Sequence, residues 1–189
     1  MAVIYRHPTP VRGRWFVWAA TARLFGLPVI GFDRYTRGSG QMRWRLLGAV
    51  PVLAARGPDI TRSTAGRHAG ELLLAVPAAA LSPQVGWRAV GDDRATARVR
   101  LGAAAKGLHE VTLTVAPDGA LSEVVMSRWG KPGRVPFAEQ VFGATLHGEA
   151  SFAGFTIPRT VTAGWFYGSD RWAAEGQFIR YTIDDARYH

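Results

Sequence analysis

Residues 61–81, TRSTAGRHAGELLLAVPAAAL, form the long stretch of this chain in which apolar residues follow a helical period. The apolar residues that share one face of the predicted helix are Ala65, Ala69, Leu72, Leu73 and Val76. Ser63 is a candidate N-cap, and Pro77 ends or kinks the helix. Because Leu72–Leu81 is apolar on nearly every side, we expect this helix to be buried.

Most of the remaining chain alternates in hydrophobicity with the period of a β-strand. In Gln41–Leu46 the apolar residues point to one face, whereas Arg43 and Arg45 point to the other. The same alternation runs through Ala97–Leu101 and Val111–Val115. Turn sequences separate strands of this kind at Gly91-Asp92-Asp93, Ala116-Pro117-Asp118-Gly119, Ala153-Gly154 and Gly168-Ser169-Asp170. Short strands joined by tight turns form a meander, as in antiparallel sheets.

These patterns predict a mainly β (α+β) fold. We expect an antiparallel sheet of roughly nine or ten strands and one main helix at about 61–81. The length fits a single domain over residues 1–189, with residues 1–14 as a candidate flexible N-terminal arm. Trp129–Phe142 carries two Gly and two Pro and is predicted to be a long connecting loop.

The composition excludes several classes of site. There is no cysteine, so a disulfide scaffold, a thiol nucleophile and a cysteine-ligated metal are excluded. Nucleophile-elbow, phosphate-loop, dinucleotide-binding and H-E-x-x-H motifs are also absent, so we expect no cofactor, no metal site and a non-catalytic protein. The apolar runs are far shorter than the ~20 residues of a spanning helix. Because the N-terminus is also a poor signal peptide, the expected location is the cytoplasm.

The positive charge is concentrated in the first third of the chain. Residues 1–62 hold 10 Arg and 2 Asp, which gives 10 − 2 = +8, whereas residues 63–189 hold 13 Lys and Arg against 12 acids, which gives 13 − 12 = +1. One interpretation is a face that attracts nucleic acid or an anionic membrane surface. The other is the solvated side of the early strands, in a chain that uses Arg in place of Lys.

A polar group on the predicted helix is the candidate ligand contact. Arg67 and Glu71 are four residues apart and share a face, and His68 lies beside them. In a buried helix this group is either a structural ion pair or the polar floor of a cavity, because desolvating it requires further partners. The seven tryptophans either fill the core or line a pocket for an apolar ligand. The candidate cavity residues are Trp44, Arg67, His68, Glu71, Trp87 and Trp165.

A linked set of motifs resembles a known bacterial family. The motifs are Gly40-Gln41-Met42-Arg43-Trp44-Arg45-Leu46-Leu47-Gly48, Gly57-Pro58-Asp59-Ile60, Ser63-x-x-Gly66-Arg67-x-x-x-Glu71 and Gly154-Phe155-Thr156-Ile157-Pro158 with Trp165 downstream. Together they resemble an uncharacterised family catalogued as a domain of unknown function. The resemblance implies a fold similar to the lipoprotein-carrier (LolA/LolB-like) half-barrels, in which an antiparallel sheet with an apolar concave face curls around a helix. It implies no known reaction.

Three functional hypotheses follow. The first is a binding protein that holds a hydrophobic or lipid-like ligand between the concave sheet face and the helix, with Arg67 and Glu71 orienting a polar head group. The second is a protein that uses its basic face to bind nucleic acid or to make peripheral contact with an anionic membrane. The third is a hydrolase or isomerase that uses His68 or Glu71 as general base in the same cavity. An open sheet edge would also allow a homodimer.

Overall fold

The structure, a computed structural model, describes residues 3–5, 15–83, 85–101, 107–133 and 135–188. In this part of the chain the strands form two antiparallel sheets, which we call the N-terminal and C-terminal sheets. The N-terminal sheet contains, in spatial order, β1 (Val3–Tyr5), β2 (Trp15–Leu24), β3 (Leu27–Thr36), β4 (Ser39–Leu46) and β5 (Val50–Arg56). The C-terminal sheet contains, in chain and spatial order, β6 (Val85–Ala89), β7 (Arg94–Arg100), β8 (Leu108–Val115), β9 (Leu121–Gly130), β10 (Ala138–Phe152), β11 (Phe155–Trp165) and β12 (Gln177–Thr182).

The predicted mainly β, antiparallel class with one main helix is confirmed. The strands divide into sheets of five and seven, however, and do not form one continuous sheet of nine or ten. The reason is the connection between β5 and β6, which is occupied by α1 (Pro58–Ala75) and the short α2 (Pro77–Ala80). Both β5 and β6 are consequently edge strands, and the hydrogen-bond ladder is interrupted between them.

The main helix starts earlier than its apolar pattern suggests. α1 begins at Pro58, directly after Gly57, whose φ of 113° turns the chain into the helix. Proline is favoured in the first turn because its missing N–H has no intrahelical partner there. The N-cap prediction for Ser63 is therefore wrong, since Ser63 is a buried residue inside the helix. Pro77 does end α1: the last turn closes with Val76 N–H donating to Leu72 O.

The predicted hairpin turns are confirmed, and the predicted loop is shorter than expected. Residues 91–93, 116–119 and 153–154 connect successive antiparallel strands, and residues 168–170 precede a π-helical turn, Trp172–Gly176, that leads into β12. β9 continues through Trp129 to Gly130, and β10 begins at Ala138. The loop prediction for Trp129–Phe142 is therefore wrong at both ends. Cross-strand pairing, such as Trp129 with Glu139, overrides the local effect of the glycines and prolines.

The helix packs between the inner faces of the two sheets, and a glycine contact allows this on each side. Gly40 on β4 lies so close to α1 that a Cβ there would overlap Thr64 Oγ1 and the Thr61 Cα. On the opposite side, Gly70 of α1 lies so close to β9 that a Cβ would overlap Met126 Cε. The helix is consequently buried on both sides over residues 63–70. The burial predicted for Leu72–Leu81 holds only in part, because Leu73, Leu74 and Ala79 are buried but Leu81 is 90% exposed.

Two further findings concern the ends and the surface of the chain. The predicted N-terminal arm over residues 1–14 lies outside the described residues except for Val3–Tyr5, which pair with Trp18–Ala20. No helix in the described part of the chain is long and apolar enough to cross a membrane.

Candidate functional site

A buried ion pair joins the helix to the middle of the N-terminal sheet. Arg67 Nη1 donates to Asp33 Oδ2 at 2.9 Å, and only 7% and 4% of the two side chains are exposed. Asp33 lies on β3, and its other carboxylate oxygen accepts a hydrogen bond from Trp44 Nε1 at 3.2 Å. Asp33 thus anchors both the helix and the β4 tryptophan on the inner face of this sheet.

The same arginine also connects to the C-terminal sheet. Arg67 Nε lies 3.5 Å from Glu71 Oε1, one helical turn further along α1. The Tyr181 hydroxyl of β12 donates to Glu71 Oε2 at 3.4 Å, and the Arg67 guanidinium lies 4.1 Å from the centroid of the Trp18 ring. We call Asp33, Arg67, Glu71 and Tyr181 the charge cluster. It spans the interior from one sheet through the helix to the other.

A second buried arginine lies near the charge cluster. Arg128 on β9 donates through Nε to Ser63 O at 3.2 Å and through Nη2 to Ser63 Oγ at 3.4 Å. Its guanidinium lies 4.7 Å from the Phe142 ring centroid and 4.9 Å from that of Trp165. All fourteen Asp and Glu residues lie in the described part of the chain, and none of them forms a salt bridge with Arg128.

The environment of Arg128 disfavours its charge. Burial, and to a lesser extent the charge of Arg67, lower the pKa of Arg128 to about 9, whereas Asp33 and Glu71 act in the opposite direction. The interior therefore holds two arginines and two carboxylates, with a net formal charge of zero. Burying four such groups opposes folding unless each is satisfied by partners, so this arrangement marks a candidate functional site.

His68 lies next to the cluster in sequence but in a different environment. Its ring is fully buried, stacked on Phe16 at a centroid distance of 5.4 Å and tilted against Tyr35 at 6.0 Å. The same burial raises the pKa of the Tyr35 hydroxyl. The packing places His68 in an aromatic layer of the core, shielded from solvent.

An apolar wall continues outward from the cluster along the inner face of the N-terminal sheet. Leu53 pairs with Trp44 across β4 and β5, so the two side chains share the inner face. Trp44 is partly buried, whereas Leu53 is 42% exposed. Val29, Leu46 and Val50 pair across β3, β4 and β5 and also face inward. Val29 is 8% exposed, Leu46 is partly buried and Val50 is 56% exposed. The inner face is thus covered at β3 and open to solvent at β5. We call Trp44, Leu46, Val50 and Leu53 the apolar wall.

A separate cleft of about 640 Å³ lies on the outer face of the C-terminal sheet. Thr96 and Thr112 line it, as do Arg62 and Glu139, which form an ion pair with each other. His109 borders this cleft, and burial lowers its pKa. None of the residues predicted for the ligand site lines this cleft, so it is distinct from the charge cluster.

Comparison with protein families identifies the chain at a coarse level. A family model described as a family of unknown function, DUF6544, matches residues 1–175. The chain belongs to the DUF6544 family. No functionally curated protein and no solved structure shows significant similarity to it. The resemblance to an uncharacterised family is thereby confirmed.

The structure of this DUF6544 chain brings some of the predicted site residues together and separates others. Trp44, Arg67 and Glu71 meet at the charge cluster, and Trp165 lies over Arg128 on the same inner side. Trp87 does not join them: it is 44% exposed, and its Nε1 donates to Ala80 O at the end of α2.

Sequence reasoning missed three contributors to the DUF6544 site: Asp33, Arg128 and Tyr181. One signal was available for Asp33, because it is the single acidic residue among residues 1–58 and lies within a strand. For Arg128 and Tyr181 the sequence offers no comparable signal. Both reach the cluster from strands that are far away along the chain.

Proposed function

We propose that this DUF6544 protein is a non-catalytic binding protein for a hydrophobic or lipid-like ligand. The ligand lies between α1 and the inner face of the N-terminal sheet, in a fold similar to the lipoprotein-carrier half-barrels. The observation that carries the proposal is the contact between two features: the charge cluster and the open apolar wall meet at Trp44, which hydrogen-bonds Asp33 and pairs with Leu53.

The apolar wall supplies affinity. Leu53 and Val50 leave roughly half of their surface exposed on a face that is otherwise core, and covering apolar area contributes about 25 cal/mol per Å². Apolar residues that face inward from an open sheet edge form a surface that needs a partner. An alkyl chain or fused ring laid along β4 and β5 would cover it.

The charge cluster supplies orientation. Glu71 is 12% exposed at its side chain, so this end of the cluster is not completely shielded from solvent. Arg67 is held in place by Asp33, Glu71 and the Trp18 ring, so the position of its guanidinium is fixed before a ligand binds. A preorganised polar group at one end of an apolar wall is the usual composition of a ligand pocket.

The test is direct detection of a ligand in the full-length protein. Native mass spectrometry of gently purified protein, followed by solvent extraction, is expected to show a co-purifying amphipathic molecule. Binding of the fluorescent probe 1-anilinonaphthalene-8-sulfonate is expected to fall about tenfold in Leu53→Glu. The probe could then cover the wall only by removing the introduced carboxylate from water. The matched control is Val115→Glu, since Val115 is 39% exposed on β8 of the C-terminal sheet and does not line the outer cleft. Equal loss of probe binding in both variants, with no extracted molecule, would refute the proposal.

A further inference from the structure

Two hairpin turns of the N-terminal sheet carry large apolar residues in a backbone conformation that disfavours them. Phe25 has φ 49° and Leu47 has φ 54°, and each is followed by a glycine with positive φ. Turns of this type favour Asn, Asp or Gly, and a bulky residue with positive φ is an outlier. Phe25 is nevertheless 96% exposed and Leu47 is 57% exposed.

The turn geometry does not require apolar side chains. Arg37-Gly38, at the opposite end of the same sheet, has φ angles of 50° and 75° and carries an arginine. Ala153-Gly154 has φ angles of 49° and 86° and carries an alanine. Residues whose type suits neither their backbone conformation nor their solvent exposure concentrate at functional sites. There, an interaction with a partner offsets their cost in stability.

The two apolar turns form one surface. Leu47 N–H donates to Pro28 O at 2.7 Å, which ties the β4–β5 turn to the first residues of β3. Leu27 and Ile30 are each 47% exposed beside these turns. We call Phe25, Leu27, Ile30 and Leu47 the hairpin-tip patch.

Arginines surround the hairpin-tip patch on the outer face of the sheet. Arg45 pairs with Ile30, so it shares that face, and Arg43 lies on the same face further along β4. Arg23 donates through Nη1 to Gly26 O at 3.1 Å, which holds its guanidinium beside Phe25. Residues 15–56 contain six arginines and one acidic residue, Asp33. Because Asp33 is buried on the inner face with Arg67, the outer face has no negative charge to offset the arginines.

We propose that the hairpin-tip patch and its arginines dock the protein onto an anionic lipid bilayer. The apolar tips enter the boundary between head groups and acyl chains, and the guanidiniums contact lipid phosphates. A nucleic acid would use the arginines but leave the exposed Phe25 and Leu47 unexplained, so the membrane surface fits more of the observations. The proposal is independent of ligand binding at the apolar wall.

The experiment is flotation of the full-length protein with vesicles. Wild-type protein is expected to bind vesicles of equal parts phosphatidylcholine and phosphatidylglycerol, and to bind pure phosphatidylcholine vesicles at least about tenfold more weakly. Binding is expected to fall as salt is raised from 50 to 500 mM. The double variant Phe25→Asn/Leu47→Asn is expected to lose about tenfold or more in vesicle affinity. Asparagine suits the left-handed backbone at both positions, so the turns are preserved.

Matched controls separate the tips from general effects. Leu81→Asn removes a leucine that is 90% exposed but lies on a different element, and it is expected to bind vesicles like wild type. Arg43→Gln/Arg45→Gln is expected to reduce binding about tenfold or more, whereas Arg94→Gln/Arg100→Gln on the C-terminal sheet removes the same charge and is expected to have little effect.

Three results would overturn the proposal. The first is vesicle binding that the Phe25→Asn/Leu47→Asn variant leaves unchanged. The second is the absence of vesicle binding by wild-type protein together with salt-sensitive binding of a 20-nucleotide DNA, which would assign the arginines to nucleic acid. The third is a dimer in size-exclusion chromatography that the asparagine variant dissociates, without vesicle binding, which would assign the tips to a second copy of the chain.

Discussion

Arg67 of α1 and Asp33 of β3 form a buried ion pair with an N–O distance of 2.9 Å, and this pair fixes the helix against the centre of the N-terminal sheet. The contact links residues that are 34 positions apart. Asp33 also accepts a hydrogen bond from Trp44, which connects the ion pair to the adjoining apolar wall.

Removal of the Asp33 charge is expected to destabilise the protein strongly. Asp33→Asn leaves Arg67 in the interior with one carboxylate fewer, and breaking a buried pair in this way costs about 3–5 kcal/mol. Urea denaturation monitored by tryptophan fluorescence measures the change in unfolding free energy. The control is Asp185→Asn, which breaks an exposed pair with Arg187 and should cost no more than about 1 kcal/mol. Similar losses in the two variants would show that Asp33 is not a structural anchor.

The close approach of β4 to α1 predicts an effect of adding one methyl group. Gly40→Ala would overlap Thr64 Oγ1 and the Thr61 backbone, so the helix must shift, at a cost of about 1–3 kcal/mol. Gly86→Ala on edge strand β6 has nothing within 4 Å of the new Cβ and is expected to change stability by less than about 1 kcal/mol. Thermal unfolding followed by circular dichroism compares the two. A tolerated Gly40→Ala would contradict the packing of the helix against this sheet.

Arg128 is expected to oppose stability at neutral pH. Arg128→Met keeps much of the volume between Phe142 and Trp165 while removing a buried charge whose desolvation no salt bridge offsets, so we expect it to be neutral or stabilising. Chemical denaturation at pH 7 measures the difference. A loss of several kcal/mol would instead assign Arg128 a structural role through its bonds to Ser63.

The same arginine predicts a pH dependence. Because burial lowers the folded-state pKa of Arg128 to about 9, below that of an exposed arginine, protonation stabilises the unfolded chain more than the folded protein, and this destabilising effect is complete below about pH 9. The advantage of Arg128→Met over wild type is therefore fully present below about pH 9 and shrinks above it. Paired denaturation curves at pH 7, 9 and 10 check the trend. An advantage that grows with pH would contradict the lowered pKa.

The apolar turn residue Phe25 is expected to lower the stability of its own hairpin. Phe25→Asn should raise the unfolding free energy by about 1 kcal/mol, because Asn adopts the left-handed conformation more readily than Phe. Denaturation in the absence of lipid measures the change. If the variant were less stable than wild type, Phe25 would be retained for folding and not for contact with a membrane.

Local features of the fold followed directly from the sequence. The turns at residues 91–93 and 116–119 could be placed because Gly, Pro and Asp act through their own backbone conformation; Asp118 Oδ1, for example, accepts from Ala120 N–H at 3.0 Å. The end of α1 before Pro77 had the same local cause. The start of the helix did not, because it depends on Gly57, whose positive φ carries no periodic signal.

The site was predictable only in part. Arg67 and Glu71 could be paired because their spacing places them on one helical face. Their partners could not be identified, because Asp33 and Tyr181 come from two different sheets, and the pairing of those sheets with the helix is a long-range property. The placement of Trp87 apart from the cluster has the same origin, since alternation assigns a face to a side chain but not a neighbour across the core.

The sequence by itself thus determined the mainly β class, the position of the central helix and an arginine–glutamate pair on it, because each depends on residues within a few positions of one another. Tertiary structure decided the division into two sheets, the assembly of the charge cluster and the meeting of two apolar turns at one end of a basic face. Those features need segments that are tens of residues apart to lie within a few ångströms, and hydrophobic periodicity contains no information about that distance.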